Sequence, residues 1–423
     1  LILALLAACA PAAQAVDVAK STKSRITEPQ VNAADMQTLV KGNNEFALAL
    51  YQELRAEDGN LIYSPYSVSQ ALAMTYAGAR GETESQMAAA MRFFLPQASL
   101  HPAFNALSLE LEKRANTTTY NENNEPDTAG AFRLRIANAL WGQKGFTFLP
   151  EFLDTLAQNY AAGMQLLDYA ADAEAARKII NQWVFDQTEE KIKDLIPTGA
   201  VTPDTRLVLT NAIYFKAAWA YPFVASGTQP APFYRLDGSQ VEAQMMNLQE
   251  RFRYLAGEGY QVVELPYVGN EMVMTLIVPD SGNFAAIDQI LSAAWLDEAF
   301  SKMNSFQVNL GLPRFKFEAE FSLSDTLKAM GMPAAFEGAD FSGMTGSRDL
   351  VISDVIHKAF IAVDEKGTEA AAATAVIMKE TAMVVPDNTI NLTIDRPFIF
   401  LIRDRTTGAI LFVGRVLDPA AGQ

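Results

Sequence analysis

The residue types that usually carry covalent catalysis are scarce in this chain. Its 423 residues include one cysteine, Cys9, and two histidines, His101 and His357. A histidine-assisted nucleophile would have to recruit one of those two imidazoles. The sequence has no Gly-x-Ser-x-Gly elbow, no phosphate-binding loop and no cluster of metal ligands, and no pair of its many carboxylates stands out as glycosidase-like. We therefore predict neither an enzyme nor a metal or cofactor site.

The segment after Val363 has an unusual composition for a loop. Residues 364–374 read DEKGTEAAAAT and lie between two apolar runs, 359–363 and 397–402. About 30 residues join those runs, and loops of that length in compact domains are usually functional or disordered. A disordered linker would be polar, whereas this segment is small and apolar, so we interpret it as one that can enter a β-sheet. Because alanine is the best helix former, a short exposed helix over 369–375 is the alternative.

Local patterns predict several elements and the fold class. Apolar residues at helical spacing (Phe46, Ala47, Leu50, Tyr51, Leu54) predict an opening helix. The other predicted elements are a buried helix over 69–91 broken at 78–81, a hairpin of 262–267 with 272–278 around Gly269-Asn270, a helix over 285–303, a hairpin of 397–402 with 410–416, and a polar surface loop over 116–128. Helices concentrate early and strands late, which predicts an α+β domain.

Composition favours one large, soluble domain. Half of the residues (50%) are hydrophobic, the formal net charge is −16, and no Pro/Gly/Ser-rich linker or internal repeat divides the chain. This charge argues against nucleic acid and anionic membrane surfaces as partners. Because the only thiol is Cys9, no intramolecular disulfide can form.

The N-terminus predicts export. Residues 1–8 form an apolar run that is too short to span a membrane and is typical of the core of a secretory signal. The sequence LAAC at 6–9 resembles a bacterial lipobox, in which Cys9 would be lipidated; the alternative is an ordinary signal cleaved among the alanines at 10–15. We predict a signal segment over 1–16, a polar tether over 17–30 and the folded domain over 31–423.

Five groups of short motifs occur along the chain. They are NLIYSPYSVS at 60–69 with GARGET at 78–83, NQWV at 181–184 with DLIP at 194–197, LTNAIYFK at 209–216, LPRF at 312–315 with GADFSG at 338–343, and IHKA at 356–359 with FVGRV at 412–416. In this order, over roughly residues 31–419, they resemble the serpin family, the serine protease inhibitors. The resemblance implies a serpin fold: a large central β-sheet, smaller sheets, surrounding helices and an exposed reactive-centre loop at about 365–396.

The resemblance also implies a mechanism and a hinge. A target serine protease attacks the loop and forms an acyl-enzyme, and the cleaved loop then inserts into the central sheet and distorts the protease. The hinge that enters first corresponds to Glu365, Gly367, Thr368, Glu369, Ala370, Ala371, Ala372, Ala373 and Thr374. Because side chains alternate along a strand, Thr368, Ala370, Ala372 and Thr374 would face the core while Glu369 stays outside.

The scissile bond follows from the family's usual loop length. With Glu365 as the seventeenth residue before the bond, that bond joins Thr381 to Ala382, which suits elastase-like or subtilisin-like proteases. Lys379 is an alternative for trypsin-like enzymes, and Glu380 for a glutamate-specific one. A heparin-activated subtype is not expected, since 111–132 lacks a basic cluster, and we expect a monomer.

Other positions match the parts of the family's sheet that move. Its shutter, where short polar side chains exchange hydrogen bonds, corresponds to Ser64, Ser67, Asn211 and His357. Its breach, where insertion begins, corresponds to Trp219 and Arg314, with Arg314 opposite Glu365. Ordinary packing, a structural histidine and a weak surface ion pair are the alternative interpretations. A non-inhibitory serpin acting as a carrier or chaperone is the alternative function, but such members often have bulky or charged hinges.

Overall fold

The computed structural model describes residues 16–116, 119–120, 126–127, 132–368 and 389–422. The helices are α1 (Ala33–Leu54), α2 (Pro65–Tyr76), α3 (Gly81–Ala90), α4 (Gln97–Glu112), α5 (Pro150–Tyr160), α6 (Tyr169–Gln187), α7 (Phe284–Ile290), α8 (Ala293–Lys302), α9 (Ser324–Ala329) and α10 (Ser342–Thr345). The strands are β1 (Asp17–Ala19), β2 (Leu61–Tyr63), β3 (Thr119–Tyr120), β4 (Pro126–Asp127), β5 (Arg133–Gln143), β6 (Met164–Leu167), β7 (Leu207–Ala218), β8 (Gln229–Tyr234), β9 (Gln240–Ala256), β10 (Tyr260–Pro266), β11 (Met272–Pro279), β12 (Asn304–Pro313), β13 (Phe315–Ser322), β14 (Asp354–Asp364), β15 (Gly367–Thr368), β16 (Ile390–Thr393), β17 (Phe398–Asp404) and β18 (Ile410–Val416).

Two large sheets organise the domain and confirm the predicted α+β class. The first, here called sheet A, has the strand order β1-β6-β5-β7-β15-β14-β13. The second, sheet B, has the order β16-β12-β9-β10-β11-β17-β18-β2, with β8 paired to β9. Both predicted hairpins are confirmed as β10–β11 and β17–β18. Within the described residues, no helix is both long and apolar enough to cross a membrane.

Helix α2 anchors the core beneath sheet A. All of its residues are buried, so the helix has no exposed face, and its polar side chains lie inside the domain together with its apolar ones. Ser64 caps its first turn by accepting a hydrogen bond from the Ser67 amide, and Pro65 occupies the first helical position. The predicted break at 78–81 is confirmed, because α3 starts anew at Gly81.

The predicted single helix over 285–303 is wrong. The structure has two helices, α7 and α8, and Leu291 between them has an extended backbone (φ −60°, ψ 117°). Ser292 starts the second helix by accepting a hydrogen bond from the Trp295 amide. The apolar spacing continues across the break, so periodicity alone did not show it.

The segment predicted as a tether over 17–30 lies against the domain for much of its length. The strand β1 pairs with β6 at the edge of sheet A. Ser21 donates a hydrogen bond to Asp154 (2.5 Å), and the Ile26 amide donates to the Gln158 carbonyl (2.9 Å). Parts of the segment between residues 17 and 26 therefore contact the folded domain.

The loop predicted to run to residue 396 ends earlier. Residues Ile390–Thr393 form β16, which pairs in parallel with β12, and the Ile394 amide donates to the Gly311 carbonyl at 2.8 Å. The sequence INLT is too short and too polar to indicate a strand without its partner.

Strands β7 and β14 determine where the candidate site lies. Every residue of β7 is buried, as expected for a strand covered on both faces. The two strands pair in parallel from Asp354↔Val208 to Ala359↔Ile213. Further along, β15 lies between them and pairs antiparallel with both.

Candidate functional site

The first two hinge residues occupy a place inside sheet A. Gly367 pairs with Asp364 of β14 and Ala218 of β7, and Thr368 pairs with Val363 and Ala217. Thr368 is only 1% exposed. The strand β15 is therefore the start of an additional central strand, located where β7 and β14 separate.

Gly367 is required by the narrow space between the two strands. A Cβ atom at this position would lie 2.1 Å from the carbonyl oxygen of Ala217 and 2.8 Å from the Cα of Ala218. Both contacts are with backbone, which cannot move aside as a flexible side chain can. The glycine in the sequence DEKGTE thus lets the hinge approach β7.

The predicted breach residue Trp219 lies beside this short strand. Its indole Nε1–H donates to the Asp364 carbonyl (2.9 Å), and its backbone amide donates to the Lys366 carbonyl (2.8 Å). Its ring stacks on Tyr267, with ring centroids 4.6 Å apart and planes 11° apart. Trp219 therefore links β7 to the chain that leaves β14.

Tyr267 is a site residue that the sequence analysis missed. Its phenolic oxygen is 2.7 Å from the Thr368 hydroxyl, and its side chain is fully buried. It follows β10 in the hairpin predicted from the sequence, but nothing in that local pattern indicates a contact with a residue 101 positions away.

Glu365 and Arg314 meet at the base of the loop. The Arg314 guanidinium forms an ion pair with the Glu365 carboxylate, which also accepts a hydrogen bond from the Thr228 hydroxyl. Burial raises the pKa of Glu365, but the hydrogen bonds from Arg314 and Thr228 outweigh it and hold the pKa below its ordinary value. The Arg314 side chain is 40% exposed, so this pair fixes the loop base while remaining accessible to water.

The four predicted shutter residues lie together under the line where β7 meets β14. The Ser64 amide donates to His357 Nε2 at 3.0 Å, so Nδ1 carries the proton and donates to Asn211 Oδ1. Asn211 Nδ2 is 2.6 Å from the Ser67 hydroxyl. The His357–Asn211 hydrogen bond joins β14 directly to β7.

Two further residues extend this network and were not predicted. Asn138 on β5 accepts a hydrogen bond from the Ser67 hydroxyl at 3.0 Å and from Asn211. Its own amide donates to the Ser67 carbonyl (3.0 Å) and to Gln70 Oε1 (3.2 Å). The sequence offered one signal for Asn138, which is the lone asparagine in the apolar strand sequence IANALW. A polar amide inside a sheet needs hydrogen-bond partners, so it indicates a polar contact there.

The network constrains how sheet A can change. If β15 grew past Thr368, the new strand would have to separate the paired parts of β7 and β14. Neighbouring strands are about 4.8 Å apart, so an inserted strand would roughly double that spacing and break the His357–Asn211 hydrogen bond. The short polar side chains of Ser64, Ser67 and Asn138 offer nearby replacement partners.

Several predicted site residues lie outside the described residues. These are Cys9, the hinge residues Glu369, Ala370, Ala371, Ala372, Ala373 and Thr374, and the candidate scissile residues Lys379, Glu380, Thr381 and Ala382. Among the residues that the structure does describe, no group of three or more His, Cys, Asp or Glu side chains is arranged to hold a metal ion.

Comparison with known proteins identifies the family. A family model described as "Serpin (serine protease inhibitor)" matches residues 41–419. An uncharacterized serpin-like protein of Thermococcus kodakarensis is 39% identical over 385 residues, covering 91% of this chain and 86% of the relative. The leukocyte elastase inhibitor of Homo sapiens is 38% identical over 401 residues, covering 91% and 100%.

A solved structure agrees with this result. The native state of tengpin, a thermophilic serpin, superposes with a TM-score of 0.80 at 27% identity, covering 95% of this chain and 97% of tengpin. The chain belongs to the serpin family.

Substituting Gly367 tests the position of the hinge. We expect Gly367→Ala to force β15 away from β7, because its Cβ would collide with the Ala217 carbonyl, and to lower the free energy of unfolding by about 1–3 kcal/mol. Urea denaturation measures the change. The control is Gly227→Ala, where a Cβ meets nothing within 4 Å. Equal stability of the two variants would contradict the described position of the hinge.

The two buried histidines predict a loss of stability in acid. Burial lowers the pKa of His101 to about 4 and that of His357 to about 3, from a reference of 6.5. The unfolded chain therefore binds more protons below pH 6.5, so stability falls as the pH falls toward 3, by about 2 kcal/mol per histidine between pH 8 and pH 5.

Urea denaturation across this pH range measures the effect. His101→Phe removes one of the two titrating groups without touching the shutter, so it should reduce the slope of stability against pH by about half. A variant with the slope of the parent protein would show that His101 does not contribute.

Proposed function

We propose that this serpin inhibits serine proteases as a suicide substrate. The observation that carries the proposal is the position of Gly367 and Thr368 between β7 and β14, with both edges of the strand already paired. A protease that cleaves the loop after these residues frees the chain to continue in the same direction. Insertion would then carry the acylated protease along the sheet and distort its active site before the ester hydrolyses.

The composition of the hinge supports this proposal. Fifteen residues from Gly367 to Thr381 would form a strand of roughly 45–50 Å at about 3.3 Å per residue. Alternate positions would be buried beside Thr368, and these are Ala370, Ala372 and Thr374. A bulky or charged side chain at such a position would cost several kcal/mol, about as much as any buried unpaired polar group.

The residues around the scissile bond indicate the class of target. Counting from Glu365 gives Thr381–Ala382 as the cleaved bond, so we propose elastase-like or subtilisin-like proteases, with Lys379 leaving a trypsin-like target open. The human relative named leukocyte elastase inhibitor is consistent with the first class. We also propose that the protein is exported by a bacterium and anchored through a lipid on Cys9.

Denaturing gels test the inhibitory mechanism. The purified protein is mixed separately with elastase-like, subtilisin-like and trypsin-like proteases. We expect a gel-stable adduct with at least one of them, together with a released C-terminal peptide that begins at Ala382. Cleavage of the loop by every protease without an adduct would contradict inhibition.

Substituting Thr368 tests the insertion step. We expect Thr368→Arg to abolish the covalent complex while the loop is still cleaved, because the guanidinium would enter the space beside Tyr267 where Thr368 is 1% exposed. The control is Thr368→Val, which keeps the size and loses one hydrogen bond worth about 1 kcal/mol. Full inhibition by the arginine variant would refute insertion through this position.

Substituting Cys9 tests the anchor. In a bacterial host, Cys9→Ala should move the protein from the membrane fraction to the soluble fraction and remove labelling by radioactive palmitate, because no other thiol is present. Unchanged fractionation and labelling would contradict a lipid on Cys9.

A further inference from the structure

A buried lysine in sheet A lacks a partner. Lys216 lies on β7, two residues before the strand ends at Ala218, and is only 8% exposed. Its ammonium group forms no hydrogen bond or ion pair with any other residue that the structure describes. A charge that is partly removed from water is costly unless it is paired. Lys216 is therefore a place where a carboxylate would be stabilised.

The neighbouring strand adds positive charge rather than removing it. Arg133 on β5 lies directly opposite Lys216, and Arg135 follows on the same face. Like charges directly opposite each other destabilise a strand pair. The two arginines share one carboxylate, that of Glu189, at 2.8 and 3.3 Å. Three cations therefore lie close to a single carboxylate, in a chain whose formal net charge is −16.

The register of β15 determines which residue would come next to Lys216. Gly367 pairs with Ala218 and Thr368 with Ala217, so the next residue of an extended β15 would lie opposite Lys216. That residue is Glu369, which is outside the described residues. Its side chain would point away from the face on which Thr368 contacts Tyr267, and toward the face of Lys216. Directly opposite Cβ atoms are about 4.5–5.5 Å apart, which is close enough for an ion pair.

The other neighbours of this position leave Lys216 available. On β14, the pairing of Val363 with Thr368 places Ala362 beside the next residue, and a methyl side chain leaves room for a glutamate. Asp364 lies two residues further along the same face of β14. Its carboxylate accepts hydrogen bonds from the amides of Lys366 (2.8 Å) and Gly367 (3.2 Å), and it forms no ion pair with Lys216.

We propose that Lys216 binds the Glu369 carboxylate when the cleaved loop enters sheet A, and that this ion pair fixes the register of the new strand. A slip of one residue would turn Glu369 toward the core. A slip of two would place Gly367 or Ala371 opposite Lys216, and both charges would lack a partner. The inference rests on the proposed function, because it requires insertion between β7 and β14. It adds an electrostatic attraction that backbone pairing alone does not supply.

Exchanging the two charges tests the pairing. We expect Lys216→Glu and Glu369→Lys each to lower the ratio of gel-stable adduct to cleaved inhibitor at least about fivefold, because each variant places two like charges opposite each other. The variant with both exchanges should recover the ratio of the parent protein to within about twofold, since it restores an opposite-charge pair. A purely structural role of Lys216 would not produce this recovery.

Neutral variants separate the ion pair from the general charge of the region. Lys216→Gln and Lys316→Gln remove the same charge from the same row of sheet A, because Lys316 on β13 pairs with Ala362. Only Lys216 lies beside the inserted position, so only its variant should lower the ratio. Glu369→Gln should have no further effect when Lys216 is already glutamine.

Thermal melting of the loop-cleaved protein provides a readout that needs no adduct. Cleavage should raise the melting temperature of the parent protein, each single exchange should reduce this rise, and the double exchange should restore it. If the parent shows no rise, insertion itself fails, which overturns both the proposed function and this inference. If the parent shows the rise and both single exchanges keep it in full, only the role of Lys216 and Glu369 is overturned.

Discussion

The line of hydrogen bonds between β7 and β14 is the constraint on which the site depends. These strands pair in parallel over only six residues of each, Asp354–Ala359 with Val208–Ile213, and beyond that they are held apart by β15. The sheet is therefore closed at one end and already open at the other. Any movement of the hinge into the sheet must proceed by breaking this ladder and replacing it with two antiparallel ones.

The contacts at the two ends of the line have opposite effects. At the open end, the stacked rings of Trp219 and Tyr267 and the hydroxyl of Thr368 hold the hinge in place. At the closed end, His357 bonds across to Asn211 and resists separation of the strands. Because His357 is buried and neutral, this resistance comes from hydrogen bonds and packing rather than from charge. These hydrogen bonds can therefore be replaced by others without the cost of moving a charged group out of water.

Local sequence predicted the elements whose signals lie within a few residues. The face of α1, the break after Tyr76 and the hairpin at Gly269-Asn270 all follow from spacing and turn chemistry. The elements that were wrong or missed depend on distant partners: β16 exists because β12 lies beside it, and residues 17–26 are ordered by the edge of β6 and by α5. The contacts of Tyr267, Asn138 and Gln70 likewise join positions far apart in the chain, and no local pattern encodes them.

The most direct test is hydrogen exchange in β7 and β14 before and after proteolysis of the loop, combined with thermal melting. Completion of β15 would give both strands a new partner along their whole length. We predict slower amide exchange from Val208 to Ala218 and from Asp354 to Val363, and a marked rise in melting temperature. Unchanged exchange and an unchanged melting temperature after complete cleavage would contradict insertion between these strands.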